Sequence, residues 1–316
     1  MSTTPQVQAR AVRFERYGGR EVLSVREVPI PAPGEGEVLV KVRAAGINPG
    51  EAMISSGALH DMLPATFPSG EGTDLAGVVL QVGPGVQKFH AGDEVLGFSW
   101  LRSSHATHTV VPEAQLIAKP AGLAWEVAGA LDVAGTTAYA AVRGVDPQPG
   151  EVVAVSAATG GVGALVVQLL VQRGVRVLGI ASASSAAWLT AHGAIPVQYG
   201  DGVGDRLRAA APNGIDAFID LFGPEYLRLG VDLGVPADRM DTIVFSPDAT
   251  ELGVKMAGAA ALAEVELPAV LGELADLLTD GTIELPIAAT YPLDRVADAF
   301  EQLERRHTLG KIVLIP

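Results

Sequence analysis

Cysteine is absent from the whole chain of 316 residues. Without a thiol the protein can form no disulfide bond, has no cysteine nucleophile and cannot bind a metal through thiolates. Histidine is scarce as well, with six residues scattered along the chain. His105 and His108 lie close together, but the surrounding sequence HATHTVV alternates as a strand does. We therefore predict no metal site.

Basic residues are also few. Lys and Arg number 22 against 36 acidic residues, which gives a formal net charge of −14. Nucleic acid and anionic membranes require a basic face, so neither is expected as a partner. No apolar run approaches the roughly twenty residues of a membrane span, and the first residues lack the apolar core of a signal peptide. The sequence therefore predicts a cytoplasmic enzyme that acts on a small molecule.

The stretch from Glu151 to Ser182 is the most informative part of the chain. A short β-branched run is followed by a Gly-rich turn, an apolar pattern of helical spacing and a second apolar run. A unit of this kind, about thirty residues long, predicts two parallel strands joined by a crossover helix.

The turn before the helix reads ATGGVG at residues 158–163. Residues without a β-carbon let the main chain approach a pyrophosphate, and the free N–H groups at the start of a helix attract the anion. The hexapeptide lies between a predicted strand and a predicted helix, as a dinucleotide-binding turn must. The predicted cofactor-binding residues of the turn are Thr159, Gly160, Gly161 and Val162.

The regions around this unit differ in pattern. The first 120 or so residues form short alternating runs between Gly- and Pro-rich turns, which indicates a mostly antiparallel β domain. From about Leu123 helical and strand patterns alternate, which indicates a doubly wound parallel sheet of about six strands whose last strand is Met240–Phe245. A helix is expected over Ala257–Leu278. Periodicity alone does not show where the tail belongs, and we infer that it returns to the first domain. This inference places the β domain at residues 1–122 and 264–316, and the α/β domain at residues 123–263.

Seven stretches that together run nearly from end to end carry a resemblance to a known family. They are AAGINPGE at 44–51, GTDLAGVVLQVGPGVQKFHAGDEVLGF at 72–98, AGTTAYAAV at 134–142, AATGGVGALVVQLL at 157–170, VQYGDG at 197–202, PIAATYPLDRVADAFEQLE at 286–304 and HTLGKIVLIP at 307–316. In this order and spacing they resemble the medium-chain dehydrogenase/reductase superfamily, and within it the zinc-free quinone oxidoreductase branch that includes zeta-crystallin. The resemblance implies a GroES-like, mostly-β catalytic domain and a Rossmann domain with a doubly wound parallel sheet.

Two positions bear on the reaction that the resemblance implies. Zinc-dependent relatives carry a cysteine where Asn48 stands and a histidine where Thr73 stands. Both ligands are missing, so the expected reaction is hydride transfer to an acceptor that is electrophilic without a metal, either a quinone or an alkene conjugated with a carbonyl.

Asn48 and Glu51 match the Asn and Asp of the family's substrate-cleft motif, and the resemblance makes them the candidate catalytic residues. Asn48 is expected either to hydrogen-bond the acceptor or the nicotinamide ribose, or simply to cap the helix that follows it. Glu51 would protonate the product if burial raised its pKa, and is otherwise a solvated surface carboxylate. No other side chain stands out as a proton donor, so solvent is an alternative source.

The resemblance also implies further cofactor contacts. A Thr matching Thr137 holds the nicotinamide carboxamide in the family, and a Tyr matching Tyr199 sits by the adenosine phosphate. Phe245 falls where relatives line the nicotinamide pocket, and Arg306 matches an arginine that some relatives direct at the cofactor.

The expected cofactor is NADPH rather than NADH. A NAD-preferring fold of this type ends its second strand with an acid that holds the ribose hydroxyls, but residues 181–185 read ASASS. Ser182 and Ser184 offer hydroxyls to a 2′-phosphate, although Ser184 is also expected to cap the next helix. Trp188 stands where the family places a basic residue for that phosphate, so a charge partner is missing there.

Two other functions fit the same residues. One is an enoyl reductase that acts on a carrier-bound chain, which would need a basic groove for a phosphopantetheine arm. The other is a crystallin-like protein that binds NADPH without turnover. A homodimer is a further family expectation, formed by pairing edge strands near residues 253–257.

Overall fold

The computed structural model describes residues 7–258, 261–305 and 307–316. Its strands are, in chain order, β1 (Val7–Phe14), β2 (Ser24–Ile30), β3 (Glu37–Gly46), β4 (Ser69–Gly70), β5 (Asp74–Val82), β6 (Glu94–Phe98), β7 (His108–Pro112), β8 (Leu116–Ala118), β9 (Val152–Val155), β10 (Arg176–Ala181), β11 (Ile195–Gln198), β12 (Ala217–Asp220), β13 (Met240–Thr242), β14 (Ile287–Pro292) and β15 (Lys311–Ile315). Its helices are α1 (Pro49–Ser56), α2 (Trp125–Ala128), α3 (Asp132–Val145), α4 (Gly161–Gln172), α5 (Ala186–Ala191), α6 (Val203–Ala210), α7 (Pro224–Asp232), α8 (Pro247–Leu252), α9 (Leu267–Thr279) and α10 (Val296–Glu304).

These elements divide into two units. The first contains the described residues up to Val133, together with those of Leu271–Asp280 and Ile287–Pro316. The second contains the described residues of Ala134–Val270 and Gly281–Pro286. The second unit therefore begins and ends later in the chain than the α/β domain outlined from sequence, and it includes the short segment before β14.

Strand β3 is the centre of the first unit. It pairs antiparallel with β5, β7 and β15. Its residues alternate, so Val38, Val40 and Val42 face a core cluster while Lys41 faces solvent. Strand β15 also pairs parallel with β14, so two strands from after residue 286 extend the sheet that contains β3. The GroES-like part of the predicted fold class is confirmed.

The second unit is built on a parallel sheet. The described strands are ordered β11-β10-β9-β12-β13, and every neighbouring pair is parallel. The chain leaves β9 toward one edge through α4 and α5, then continues on the other side of β9 with β12 and β13. This reversal beside β9 is the topological switch point at which ligands bind doubly wound sheets, and the predicted Rossmann fold is confirmed.

Local packing explains why this part of the sequence folds as it does. The apolar stripe of α4 is buried, including Leu165, Val166 and Leu170. On β10, a β-carbon added to Gly179 would lie 2.8 Å from Cδ2 of Leu189. Glycine at this position therefore lets α5 pack closely against the sheet.

Two predicted elements differ from the structure. The last strand of the sheet ends at Thr242, not at Phe245, because Ser246 accepts a hydrogen bond from the N–H of Asp248 at 3.2 Å and Pro247 opens α8. The helix expected from residue 257 begins only at Leu267. Pro268 is tolerated in a first helical turn but not in a helix interior, and residues 259–260 lie outside the described residues. Five strands form the described sheet where about six were expected.

None of the helices in the described ranges has the length and apolarity that crossing a membrane requires.

Candidate active site

The predicted glycine turn connects β9 to α4 in the second unit. Gly160 is the N-cap residue, with extended backbone, and α4 starts at Gly161. Within the described part of the chain no side chain caps this helix, and its first turn contains no acidic residue. The N–H groups of Gly161 and Val162 and the positive end of the helix dipole are therefore available to a phosphate group.

Two glycines of the turn serve different purposes. A β-carbon on Gly163 would lie 2.2 Å from the carbonyl oxygen of Ala157, so the fold itself needs glycine there. A β-carbon on Gly160 would meet only that same oxygen, at an ordinary 3.4 Å. The small residue at Gly160 is thus not required by packing, which is what a close approach by a ligand predicts. Ala157 has a φ of 45°, in the left-handed region, and strain of this kind tends to occur at functional sites.

Asp220 holds the loops at the carboxyl edge of the sheet together. Its Oδ1 accepts from Ser156 Oγ at 2.7 Å and from the N–H groups of Phe222 and Gly223 at 3.0 and 3.2 Å. Its Oδ2 accepts from Thr242 Oγ1 at 2.9 Å. Burial raises the pKa of this carboxyl, and the four hydrogen bonds oppose that rise. One side chain therefore links the ends of β9, β12 and β13 around the glycine turn.

The end of β10 presents hydroxyl groups. Ser182 Oγ lies 2.8 Å from Ser184 Oγ and 3.0 Å from Ser185 Oγ. The prediction that Ser184 caps the next helix was wrong, because a 3-10 turn over Ala183–Ser185 precedes α5 and Ser185 is its N-cap residue. A cavity of about 170 Å³ lies beside these serines, and its lining residues, which include Gln198, are all uncharged.

Trp188 supplies no positive charge at the position where the family resemblance places a basic residue for the 2′-phosphate. Its ring stacks on His192 with 4.0 Å between centroids, and its indole N–H donates to Glu284 Oε1 at 2.5 Å. Nε2 of His192 also lies 3.2 Å from Glu284 Oε1. These three residues form an aromatic and acidic group at the position where the family pattern has a basic residue.

Arg206 supplies a positive charge that the sequence reasoning missed. Its guanidinium donates to the carbonyl oxygens of Gln198, Tyr199, Gly200 and Asp201, at 2.9, 3.2, 3.1 and 2.8 Å. It thereby shapes the loop that carries Tyr199, next to the cavity. An arginine three residues into a helix gives no signal of this role in the sequence.

The remaining predicted cofactor residues occupy different environments. Thr137 is buried on α3, and Thr159 is buried in the glycine turn. Tyr199 is 42% exposed, and Phe245 is 63% exposed in the segment after β13. Arg306 lies outside the described residues. The binding roles of these residues stay predictions.

A buried polar cluster occupies the first unit around Asn48. The Lys311 ammonium group donates to Ile47 O at 3.1 Å, to Asn48 Oδ1 at 2.5 Å and to Asp74 Oδ2 at 3.2 Å. The Asn48 amide nitrogen donates to the same Asp74 oxygen at 3.1 Å. Asp74 also accepts from the N–H of Val133 at 2.8 Å. Both ends of the Asn48 amide are thus engaged within the protein, and its amide oxygen is held by Lys311.

Glu51 is part of the same cluster and is only 2% exposed. The expectation of a solvated carboxylate was wrong, because α1 begins inside the unit. Glu51 Oε2 accepts from the Asn48 N–H at 2.8 Å, so Glu51 provides the cap of α1. Its Oε1 accepts from the N–H and the hydroxyl of Thr73 at 2.9 and 2.8 Å. Nε2 of His105 lies 3.7 Å from Oε2.

The cluster does not fit the zinc ion of the zinc-dependent relatives. Positions 48 and 73 offer an amide and a hydroxyl, whereas zinc sites use thiolate, imidazole and carboxylate. The Lys311 ammonium already bridges Asn48 and Asp74, and its charge would repel a second cation. Over the described ranges, no group of three or more His, Cys, Asp or Glu is placed to hold a metal ion.

Several members of this cluster were not singled out from the sequence. Lys311 and Asp74 each stand at the start of an apolar strand, which marks them as buried charges in need of partners. His105 was assigned to a strand, yet it precedes β7 and its side chain is buried. The signal for Lys311 and Asp74 was present, but the sequence did not show that they meet.

Comparisons with known proteins agree with the resemblance. Residues 34–121 match the family described as alcohol dehydrogenase GroES-like domain, and residues 193–314 match the family described as zinc-binding dehydrogenase. The chain is 31% identical to a quinone oxidoreductase of Pseudomonas aeruginosa, with 98% of this chain and 100% of the relative covered. It is 32% identical to the human synaptic vesicle membrane protein VAT-1 homolog, with 97% and 86% covered.

The fold is similar to that of a solved relative with its cofactor. The structure of Escherichia coli quinone oxidoreductase complexed with NADPH aligns with a TM-score of 0.89 and 27% identity, covering 97% of this chain and 100% of that one. Together with the glycine turn, these relatives identify an oxidoreductase with a nicotinamide cofactor. The chain belongs to the medium-chain dehydrogenase/reductase superfamily, in the branch that contains the quinone oxidoreductases.

Proposed function

We propose that the protein uses NADPH to reduce a quinone or an α,β-unsaturated carbonyl without a metal ion. The observation that carries the proposal is the end of β10. There Ser182 and Ser184 present hydroxyls beside an uncharged cavity, and no carboxylate stands in residues 181–185 to repel a 2′-phosphate. The Arg206 guanidinium under the neighbouring loop adds a positive charge to this side of the second unit.

The residues of the second unit would hold the dinucleotide as follows. The N–H groups of Gly161 and Val162 bind the pyrophosphate, and Gly160 leaves room for its approach. Asp220 keeps Ser156 and Thr242 in place around that turn. When bound, the nicotinamide supplies the hydride for the reduction.

The residues of the first unit favour an acceptor that is reactive by itself. The Lys311 ammonium group donates hydrogen bonds to three oxygen atoms of the protein, so it has no donor left for a carbonyl oxygen of the acceptor. Thr73 is the partly exposed member of the cluster, but its one hydroxyl proton is donated to Glu51 Oε1, so it too is engaged within the protein. Asn48 and Glu51 hold Thr73 in position through hydrogen bonds to its hydroxyl group, which is their role in this proposal.

The test is a screen of NADPH and NADH oxidation with a panel of quinones, enones, saturated aldehydes and alcohols. We expect turnover of quinones or enones with NADPH, a lower rate with NADH, and no loss of activity in the presence of a chelator. Tight NADPH binding without turnover of any acceptor would contradict the proposal and support the non-catalytic alternative. Turnover of carrier-bound enoyl thioesters alone would support the biosynthetic alternative.

We also propose that the protein is a homodimer. In the described part of the sheet β13 is the edge strand, and beyond it Lys255 forms a single bridge with Asp241. A sheet edge is usually covered or paired, and residues 253–257 are the segment on which a second copy would pair. Light scattering on the purified protein tests this proposal, and a monomeric mass at micromolar concentration would contradict it.

A further inference from the structure

Four side chains of the second unit, Gln168, Glu284, Trp188 and His192, form a bridge between α4 and α5. Its centre is Glu284, in the segment before β14. The Gln168 side chain on α4 donates from Nε2 to Glu284 O and accepts at Oε1 from the Glu284 N–H, both at 2.8 Å. Glu284 Oε1 accepts from the indole N–H of Trp188, on α5, at 2.5 Å and lies 3.2 Å from Nε2 of His192, the C-cap residue of α5. An unbroken series of contacts therefore runs from one helix to the other.

The contacts of His192 indicate that its ring carries a charge. Nδ1 lies 2.8 Å from Trp188 O, and Nε2 faces the Glu284 carboxylate. Carbonyl and ionised carboxylate oxygens only accept, so each ring nitrogen needs a proton of its own to make its hydrogen bond. A neutral imidazole has a single N–H and must give up one of the two contacts. The complete α4–α5 bridge therefore requires an imidazolium ion.

Glu284 is the charged partner of this imidazolium ion. Within the described ranges no other charged side chain forms a hydrogen bond or an ion pair with His192. The side chains on its other sides are uncharged. The Trp188 ring stacks on the imidazole, and Val171 of α4 is so close to the next residue that a β-carbon on Gly193 would lie 3.0 Å from its Cγ1. Histidine ordinarily changes its charge between about pH 5 and pH 8, so the bridge is expected to respond to pH in this range.

Helix α5 depends on such contacts for its position. It has six residues, and a helix this short is not stable without tertiary packing. Its N-cap residue is Ser185, whose hydroxyl oxygen lies 3.0 Å from Ser182 Oγ. Ala186 and Leu189 of α5 line the cavity beside these serines. A shift of α5 therefore displaces the serine hydroxyls and the cavity wall together.

Helix α4 carries the other part of the predicted cofactor site. Its first N–H groups are available to the pyrophosphate, and Gln168 lies about two turns further along the helix. Gln168 is buried, and its Nε2 also donates to Ala164 O at 2.8 Å, which fixes the side chain on α4. The spacing between the pyrophosphate position and the serines therefore depends on the α4–α5 bridge.

We propose that the α4–α5 bridge is a pH-sensitive positioning device, which holds Ser182 and Ser184 in place for the 2′-phosphate of NADPH while His192 is protonated. The proposal rests on the proposed function, in which these serines receive the 2′-phosphate. Loss of one proton from His192 breaks one of its two contacts, loosens α5 and weakens the binding of NADPH. NADH has no 2′-phosphate, so its binding depends much less on the bridge. The protein therefore discriminates best between the two cofactors when His192 is charged.

The test measures the Kd of NADPH and of NADH by titration calorimetry on the full chain, at about pH 6 and about pH 8. His192→Phe keeps a ring beside Trp188 but cannot carry the charge, and His90→Gln is the control because the His90 side chain is 86% exposed in the first unit. At the lower pH we expect His192→Phe to raise the Kd of NADPH about threefold to fivefold, as loss of a partly exposed ion pair does. The Kd of NADH should stay within about 1.5-fold. At the higher pH wild type and variant should bind NADPH alike, and the control should match wild type throughout.

A second variant, Glu284→Gln, keeps an acceptor for the Trp188 N–H but removes the charge, so it should reproduce the effect of His192→Phe. An unchanged Kd of NADPH at the lower pH would overturn the proposal. So would equal losses of NADPH and NADH affinity, or a loss of the same size at both pH values, because these are the marks of a purely structural role. Wild-type protein that binds NADH as tightly as NADPH at both pH values would instead overturn the cofactor choice in the proposed function.

Imidazole ¹⁵N NMR of the wild-type protein gives a measurement that does not depend on the folding of variants. We expect both ring nitrogens of His192 to be protonated at about pH 6, and one of them to lose its proton as the pH rises. Because protonation and ligand binding are linked, saturation with adenosine 2′,5′-bisphosphate should move this change to higher pH. A change that this ligand does not move would overturn the proposal.

Discussion

Replacing Lys311 with methionine removes the cation of the buried cluster while keeping most of the side-chain volume. The ammonium donates to Ile47 O, Asn48 Oδ1 and Asp74 Oδ2 at 3.1, 2.5 and 3.2 Å. Removing one partner of a buried ion pair costs about 3–5 kcal/mol, because the other charge stays buried without compensation. Asp74 keeps two donors, from Asn48 Nδ2 and the N–H of Val133. We therefore expect the lower end of the range, a loss of about 3 kcal/mol in the free energy of unfolding.

Urea denaturation of Lys311→Met measures this loss, with Lys41→Met as the matched control. Lys41 lies on β3 with its side chain toward solvent, so its replacement should change the free energy of unfolding by less than about 0.5 kcal/mol. In a double-mutant cycle with Asp74→Asn, the two losses should be less than additive by about 1 kcal/mol or more. A loss below about 1 kcal/mol for Lys311→Met, or strict additivity in the cycle, would refute the ion-pair reasoning.

Three further predictions concern the second unit. Gly160→Val should keep the wild-type thermal stability and raise the Kd for NADPH at least about tenfold, or 1.4 kcal/mol. Gly163→Ala should instead destabilise the fold by about 1–3 kcal/mol, because its β-carbon would lie 2.2 Å from a carbonyl oxygen. Equal effects of the two variants on NADPH binding and on stability would contradict this difference between the two glycines. Ser182→Asp should lower the NADPH to NADH ratio of kcat/KM by about a hundredfold, because a carboxylate repels the 2′-phosphate and holds ribose hydroxyls, and an unchanged ratio would place the 2′-phosphate elsewhere. Burial raises the pKa of Asp241 from 3.8 to about 7, so this group ionises at lower pH in the unfolded chain than in the folded protein. The free energy of unfolding should therefore fall as pH rises from about 4 to about 7, by a few kcal/mol at most. Denaturation at a series of pH values should show no such fall in Asp241→Asn, and an unaltered dependence of stability on pH in that variant would contradict the prediction.

The second unit was predictable because its signals are local. A buried strand, a glycine turn and an amphipathic helix follow one another within residues 151–182. Each of these elements can be recognised from the pattern of residues that are adjacent in sequence. The prediction of a strand up to Phe245 was wrong because a capping Ser246 and Pro247 outweighed the apolar run that precedes them. The residues that start the next helix therefore determined where this strand ends, and the strand propensity of the apolar run did not.

The buried cluster of the first unit was not predictable in this way. Lys311 and Asn48 are 263 residues apart in sequence, and they meet only because β15 pairs with β3. The family resemblance identified Asn48 and Glu51, but the sequence left Glu51 to be read as a solvated surface carboxylate. Its burial depends on where α1 enters the unit. Periodicity within α1 does not contain that information, because the residues that cover Glu51 come from other segments.

The same cluster also gives a physical reason to expect an acceptor that needs no Lewis acid. A metal ion activates a carbonyl through a coordination position that the protein leaves open. The cation in this cluster is an ammonium group, and all three of its protons are directed at oxygen atoms of Ile47, Asn48 and Asp74. Its charge stabilises the buried Asp74 but cannot polarise a bound molecule. On the proposed function, reduction therefore depends on the acceptor's own conjugation, so we expect saturated aldehydes to react far more slowly than enones or quinones of the same size.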